Sequence, residues 1–194
     1  VMADLATFVT ARQEPTGPVE TFSTERSANT VTRPMGTEDV ATLLLRFANG
    51  ARGLVAVSQV SAGRKNSLQW EIDGSDSAAW WDSETPDHLW LGHRDRANEL
   101  LLRNPSLMNA AGRAAAALPG GHVEGFGDTF GALFRAIYAD VLAGRPSPNP
   151  PYATFAAGHD EMLVNDAVAE SARTGRWVDV ARASSPTPPV AASA

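Results

Sequence analysis

Hydrophobic and polar positions follow two different periods along this 194-residue chain, and the change falls near residue 125. Before that point apolar and polar residues mostly alternate, which is typical of strands with one buried face. After it, apolar residues recur every three or four positions, as on one face of a helix. The members of this helical stripe are Phe126, Phe130, Leu133, Phe134, Ile137 and Val141. The pattern therefore predicts a sheet followed by helices.

The clearest local signal is a β-hairpin. Residues 39–48 and 51–61 are two apolar-rich extended runs joined by Asn49-Gly50. The Asn-Gly dipeptide supplies the positive φ angles that a tight hairpin turn requires. We therefore expect these two runs to pair as antiparallel strands.

Further strands follow the hairpin. Residues 68–73 alternate strictly, and they place Leu68, Trp70 and Ile72 on the face that we expect to be buried. Consecutive strands usually pair antiparallel, so we expect an open, mostly antiparallel sheet of roughly five to seven strands. The remaining candidate strands span residues 78–82, 88–92 and 98–103.

Weaker patterns surround these strands. Residues 4–9 have apolar positions on one helical face and predict a short helix. Residues 19–27, rich in Val, Thr and Phe, predict a strand. Residues 27–37 predict a loop, and residues 104–120 predict an irregular excursion with one helical turn.

Two helices follow the strands. Residues 127–143 predict a long helix lying on the sheet, with Gly144 as its C-terminal cap. A proline-rich connector over residues 145–151 leads to a second helix, which Thr154 caps and Gly175 ends. The order of elements predicts an α+β fold with helices on one face of an open sheet.

The chain length fits a single domain, which we place at residues 1–180. Residues 177–180 predict a short final strand within it. Residues 181–194 contain small residues and prolines but no aromatic residue, and they predict a disordered tail.

Composition excludes several classes of protein. The chain has no cysteine, and its four histidines do not follow zinc-ligand spacing, so we expect no metal site. With 22 acidic against 16 scattered basic residues, the net charge of −6 argues against a nucleic-acid partner. No run approaches the ~20 apolar residues of a membrane span, and no leader pattern is visible. We expect a soluble, cytoplasmic protein with no membrane contact.

Three segments in this order resemble the C-terminal domain of the glucose–fructose oxidoreductase, inositol dehydrogenase and MocA family. They are Glu71-Ile72-Asp73-Gly74-Ser75, His122-Val123-Glu124-Gly125-Phe126 and the segment from Ser171 to Val178. The resemblance runs from Asp4 to Val180 and is one of order and spacing. It implies a substrate-binding and dimerisation domain of an enzyme that uses NAD or NADP to oxidise or reduce a sugar or cyclitol hydroxyl.

The family segments that bind the cofactor and transfer the proton would precede Val1. The chain has no G-x-G-x-x-G loop, no Glu-Lys-Pro segment and no Asp-x-x-x-His pair near Asp4. Because hydride transfer needs a held nicotinamide and a base, we expect no catalytic residue in this chain. We also expect no cofactor bound to the chain alone, no dehydrogenase activity by itself, and an N-terminal Rossmann domain as its missing partner.

Two groups of polar residues are candidates for substrate binding, one at the start of the long helix and one between two strands. His122 suits binding to a substrate hydroxyl, since imidazole both donates and accepts, and the alternative is a loop histidine hydrogen-bonded to nearby backbone. Glu124 is either a second ligand or an acid that the helix dipole favours. Arg64, Lys65 and Asn66 suit polyol oxygens or the 2′-phosphate of NADP, and alternatively form a solvated turn.

Aromatic and apolar residues leave further alternatives open. Trp80, Trp81 and Trp90 offer either a stacking surface for a sugar or filling for the core and a subunit contact. We expect Leu44 to share the second face of the sheet with Val55 or Val57, and a homodimer to cover that face.

Two other functions compete with the oxidoreductase domain. One is a stand-alone binding or assembly module without redox chemistry, which would respond to a ligand independently of nicotinamide. The other is a hydrolase, which is disfavoured because no Ser-His-Asp or paired-acid spacing stands out.

Overall fold

The computed structural model describes residues 1–18 and 29–181. The described residues divide into two compact units: a terminal unit, Val1–Ala62 with the chain from Phe155, and a middle unit, Gly63–Thr154. In chain order the strands are β1 Met2–Ala6, β2 Ala11–Pro15, β3 Thr30–Pro34, β4 Val40–Arg46, β5 Arg52–Ser58, β6 Gln69–Asp73, β7 Ser77–Asp82, β8 His88–His93 and β9 Glu99–Leu102. The helices are α1 Ala110–Ala115, α2 Phe126–Ala143 and α3 Phe155–Thr174, and a 3₁₀ turn spans Pro105–Leu107.

The strands confirm the predicted α+β class with antiparallel pairing, but they form three sheets instead of one. The terminal unit contains a sheet of order β1-β4-β5 and the two-stranded sheet β2-β3, and the middle unit contains the meander β6-β7-β8-β9. Every described strand pair is antiparallel. No described helix is long and apolar enough to cross a membrane.

The hairpin of β4 and β5 is confirmed. Gly50 has φ 94° and donates to the Phe47 carbonyl at 3.0 Å, as a tight turn requires. The register places Leu44 opposite Leu54, so these two side chains share a face. Val55 and Val57 therefore lie on the other face, and their predicted placement beside Leu44 is wrong.

The terminal unit closes around small and polar side chains. Helix α3 packs on β1, where Ala3 and Ala167 are buried and let the two backbones approach. The Ser171 hydroxyl, fully buried, accepts from the Ala3 N–H at 2.9 Å and donates to the Arg176 carbonyl at 2.6 Å. One side chain thus joins the first strand to the turn after α3.

Three predictions in the terminal unit are wrong. Residues 4–9 are not helical, because β1 pairs with β4 along Met2–Ala6 and tertiary pairing overrides a short periodic pattern. Residues 27–37 include strand β3, whose Pro34 stands at the strand end where proline is tolerated. Residues 177–180 form no strand: Val178 exchanges two backbone hydrogen bonds with Val1, too few for a ladder.

Two predictions lie outside the described residues. These are the strand proposed at residues 19–27 and the tail from residue 182 onward.

The segment after α3 contacts the first hairpin within the terminal unit. The Arg46 guanidinium lies 3.8 Å from the centre of the Trp177 ring.

The middle unit contains the predicted strands β6 to β9 and the long helix α2. The helix ends at Gly144, whose φ of 69° is the left-handed conformation expected of a C-terminal cap. The Ala-rich excursion before α2 contains the 3₁₀ turn and the short helix α1. In the terminal unit, α3 likewise ends at Gly175, with φ 64°.

The predicted buried face of β6 is wrong. Leu68, Trp70 and Ile72 are 60%, 39% and 67% exposed within the described structure. Strict alternation identifies an apolar face of a strand but does not say what covers that face. Helix α2 is similar, because none of its residues is buried. Among the described residues, the apolar side chains of β6 and α2 are therefore left largely exposed and do not form a buried core.

Candidate functional site

A cavity of about 1050 Å³ lies within the middle unit. Its walls come from the segment before β6, the end of β7 and the loop after it, helix α1 and the first half of α2. This volume suits a small organic ligand, since ligand pockets typically measure about 300–1,000 Å³. We take this cavity as the candidate site.

Aromatic and aliphatic side chains form the apolar walls. The Trp81 ring is held in place, because its Nε1–H donates to the Pro86 carbonyl at 3.0 Å and its plane lies 25° from that of Trp70. Phe126 and Phe130 meet edge to face with ring centres 5.0 Å apart. Fixed rings of this kind offer a flat apolar surface without losing further side-chain freedom on binding.

Polar side chains also line the cavity. They are Lys65, Asn66, Ser83, Glu84, Glu124, Asp128 and Thr129. Two of their carboxylates have partners within the unit: Arg64 Nη1 lies 2.9 Å from Glu84, and Asp128 accepts from the Gly125 N–H at 2.8 Å. The Asp128 bond caps the start of α2, where the helix dipole also favours an anion.

The third carboxylate, Glu124, belongs to a shielded ion pair. Its Oε2 lies 3.0 Å from Arg103 Nη1, and its Oε1 accepts from the backbone N–H groups of Ala117 and Leu118 at 2.5 Å each. The two charged side chains are only 12% and 11% exposed. Glu124 is therefore held by this chain's own groups, beyond the helix-dipole effect that its position suggests.

The cavity brings together three of the five predicted binding residues: Lys65, Asn66 and Glu124. Arg64 lies outside the lining and pairs with Glu84. His122 also lies outside it, with an exposed side chain, and uses its backbone: its N–H donates to Pro119 and its carbonyl accepts from Arg103.

The three tryptophans separate into two roles. Trp81 lines the cavity, whereas Trp80 and Trp90 face each other across β7 and β8 and do not line it. The stacking interpretation therefore applies to Trp81. For Trp80 and Trp90 the sheet-packing interpretation agrees with their cross-strand register.

Sequence reasoning missed Arg103, Glu84 and Asp128, and it predicted only one helical turn, at no particular position, where α1 lies. Arg103 follows three leucines of β9 and looked like the end of a strand. In α1, Ala111, Ala114 and Ala115 line the cavity at helical spacing, a pattern that was visible but lay in a segment interpreted as irregular.

A second polar cluster fixes the connector after α2, which carries Pro151 of the cavity wall. Asp140 accepts from the Ser147 hydroxyl at 2.6 Å, from the Ser147 N–H at 2.8 Å and from the Tyr152 hydroxyl at 2.6 Å. The bonds from Ser147, then that from Tyr152, lower the pKa of Asp140, and the bond to Asp140 raises the pKa of Tyr152.

The described residues do not form the βαβ unit with a glycine-rich turn that holds a dinucleotide in a Rossmann domain, since every described strand pair is antiparallel. The same residues contain no group of three His, Asp or Glu side chains placed to hold a metal ion. The geometry instead suits a polar organic molecule that rests on Trp81.

Comparisons with known proteins agree on the family. The model described as "Oxidoreductase family, C-terminal alpha/beta domain", that of the glucose–fructose oxidoreductase, inositol dehydrogenase and MocA proteins, matches residues 7–180. Levoglucosan dehydrogenase from Pseudarthrobacter phenanthrenivorans is 29% identical over 187 residues, which cover 93% of this chain and 46% of that protein.

Solved structures share the fold. An oxidoreductase from Sinorhizobium meliloti has a TM-score of 0.72 and 25% identity, over 91% of this chain and 45% of its own. Levoglucosan dehydrogenase in complex with NADH and L-sorbose has a TM-score of 0.71 and 24% identity, over 94% of this chain and 44% of its own. The chain thus spans less than half the length of these relatives.

Proposed function

The chain belongs to the oxidoreductase family whose C-terminal alpha/beta domain it matches, and from this premise we propose that it is the substrate-binding and dimerisation domain of an NAD-dependent enzyme. The enzyme oxidises or reduces a hydroxyl of a small sugar or cyclitol. The relatives named levoglucosan dehydrogenase, one of them in complex with NADH and L-sorbose, support this assignment.

The cavity of the middle unit is the observation that carries the proposal. A sugar has apolar C–H faces and a rim of hydroxyl groups. Trp81 offers an apolar plane to such a face, and Lys65 and Asn66 provide donors and an acceptor near the rim. Glu84 and Glu124 are each neutralised by an arginine, so the site suits an uncharged polyol.

The proposal divides the chemistry between two parts of the enzyme. The nicotinamide accepts or donates the hydride when it is bound, and a separate Rossmann domain would hold it. This chain's own residues bind the sugar, orient its ring on Trp81 and exclude water from the apolar walls. By itself the chain is expected to have no dehydrogenase activity.

The dimerisation role rests on exposed apolar residues in the terminal unit. Leu44 and Leu54 lie opposite each other in β4 and β5, and both are exposed. A second copy of the chain that packs on this face would remove the pair from water. Sedimentation of the chain with Leu44→Thr and Leu54→Thr changes should then report a shift from dimer to monomer.

Titration of the chain with levoglucosan and L-sorbose, followed by indole fluorescence, tests the substrate site. We expect a saturable change with at least one sugar in the absence of any nicotinamide, because the proposed sugar site lies within the middle unit. The absence of a saturable response to both sugars would contradict the substrate-binding role.

A further inference from the structure

Arg103 binds four acceptors around one loop. Its Nη1 lies 3.1 Å from the Leu118 carbonyl and 3.0 Å from Glu124 Oε2, and its Nη2 lies 3.2 Å from the Pro119 carbonyl and 2.5 Å from the His122 carbonyl. The loop that these groups belong to, residues 116–124, has no helix or strand to satisfy its backbone. We call it the entry loop, because it leads into α2.

Glu124 binds the same loop as a hydrogen-bond acceptor, whereas Arg103 binds it as a donor. Its Oε1 accepts from Ala117 and Leu118, while its Oε2 faces Arg103. Arg103 binds backbone carbonyls and Glu124 binds backbone N–H groups, so the pair satisfies both kinds of group in one loop. Buried backbone groups need such partners wherever secondary structure does not supply them.

We propose that Arg103 is a positioning residue, which holds the entry loop and Glu124 in place as one wall of the substrate cavity. The expected effect on sugar binding rests on the proposed function, whereas the effect on the loop does not. Glu124 lines the cavity and Arg103 does not, so Arg103 acts through Glu124 and the loop.

The geometry also assigns Glu124 a different role from that of a general base. Three donors already occupy its two oxygens. Because both oxygens already contact this chain's own donors, neither is free to approach a substrate hydroxyl as a general base must. Glu124 is therefore part of the wall, and its orientation is set before any ligand arrives.

Arginine suits this position and lysine does not. The guanidinium presents five N–H donors in a fixed plane, which lets one side chain bond several acceptors together. Lysine keeps the charge but offers a single ammonium at the end of a flexible stem. Arg103→Lys therefore keeps a positive charge near Glu124 but removes the planar guanidinium that bonds the carbonyls of Leu118, Pro119 and His122.

The experiment compares Arg103→Lys with Arg96→Lys, an exposed arginine that pairs with Glu99 in the same unit. Amide hydrogen exchange, the unfolding temperature and levoglucosan affinity are measured for both. For Arg103→Lys we expect exchange at Ala117 and Leu118 to quicken and affinity to fall by about tenfold, as the loss of a charge-assisted bond predicts. Exchange in β7 and β8 and the unfolding temperature should change little, and Arg96→Lys should match the original chain.

A charge-reversed double variant, Arg103→Glu with Glu124→Arg, tests whether the pair holds the backbone of the entry loop or only forms an ion pair. The reversed pair keeps its mutual attraction but places a carboxylate against carbonyl oxygens and a guanidinium against N–H groups. We expect no recovery of slow exchange at Ala117 and Leu118. Recovery of slow exchange in the double variant would overturn the proposal. Faster exchange throughout the middle unit in Arg103→Lys would also overturn it, because it would indicate a general structural role.

The two proposals fail in different ways. If the unaltered chain binds neither levoglucosan nor L-sorbose, the proposed substrate site is wrong, while amide exchange still decides whether Arg103 positions the loop. If the chain binds sugar and Arg103→Lys leaves both affinity and loop exchange unchanged, the positioning role is wrong and the substrate site stands.

Discussion

The terminal and middle units are built on different principles. Of the residues that the structure describes, five of the buried ones lie in the terminal unit, namely Val1, Ala3, Asp39, Ala167 and Ser171, and only Gly92 lies in the middle unit. The terminal unit is closed by small side chains and satisfied hydrogen bonds. In the middle unit, some of the aromatic and aliphatic residues, among them Trp81, Phe126 and Phe130, line a cavity.

Buried polar atoms show the same difference. Among the described residues, two such atoms lack a hydrogen-bond partner, His88 Nδ1 and Arg103 Nε, and both belong to the middle unit. Asp87 lies 3.0 Å from His88 Nδ1, but not in hydrogen-bonding geometry. Neither residue lines the cavity, although both belong to the unit that contains it. Under the proposed function, the terminal unit is the scaffold and the middle unit carries the substrate site.

The largest expected effect is a loss of stability in the terminal unit. Ser171→Val leaves the Ala3 N–H and the Arg176 carbonyl without the hydrogen-bond partner that the Ser171 hydroxyl provides. We expect the free energy of unfolding to fall by about 2–6 kcal/mol, since each of the two unsatisfied buried groups costs about 1–3 kcal/mol. Urea denaturation measures it, with Ser61→Val as the exposed control. A loss no larger than that of the control would show that this contact does not hold the scaffold.

A smaller effect should alter the site and spare the scaffold. Trp81→Leu removes the flat ring from the cavity and should weaken levoglucosan binding by about tenfold, near 1.4 kcal/mol. Trp80→Leu is the matched control, because Trp80 lies on the same strand but does not line the cavity. Isothermal titration measures both variants. Equal losses of affinity would place the sugar elsewhere.

The smallest effect concerns acid stability of the terminal unit. Asp39 accepts from the N–H groups of Phe8 and Val9, and these bonds lower its pKa below the ordinary value of 3.8. Because the folded pKa is depressed, this stabilisation is complete above pH 3.8 and is lost as pH falls through the folded pKa. The free energy of unfolding should therefore decline below about pH 3.8.

Asp39→Asn provides the comparison for that acid decline. The variant cannot ionise, so its free energy of unfolding should lack the part of the decline that Asp39 causes. Asp4→Asn, an exposed site on β1, should keep the decline of the original chain. Identical pH profiles for Asp39→Asn and the original chain would remove Asp39 as the cause.

Local signals predicted much of the fold. The hairpin was visible because Asn49-Gly50 favours a tight turn. Helix α2 was visible from its apolar stripe with Gly144 after it, and α3 from Thr154 and Gly175 as its predicted ends; both glycines have positive φ in the structure. Strand β1 was missed because five residues carry too little periodicity to separate a helix from a strand. Its pairing with β4 joins residues about 40 positions apart.

The candidate site was less predictable for a related reason. Lys65, Asn66 and Glu124 were proposed from the sequence, but the partner of Glu124 lies 21 residues earlier, at Arg103, behind an irregular segment. Alternation in β6 showed an apolar face and could not show that this face is left uncovered. The cavity is formed by contacts between segments that are distant in sequence, whereas hydrophobic periodicity reports only on residues that are close in sequence.

The central claim is that this chain carries a substrate site without a cofactor site. Titration with NADH, read by nicotinamide fluorescence, tests it most directly when the chain is compared with a version extended by the proposed N-terminal Rossmann domain. We predict that only the longer protein binds NADH and reduces NAD in the presence of the sugar. Binding of NADH by this chain alone would contradict the account, because the cofactor site would then lie among residues to which we assign none.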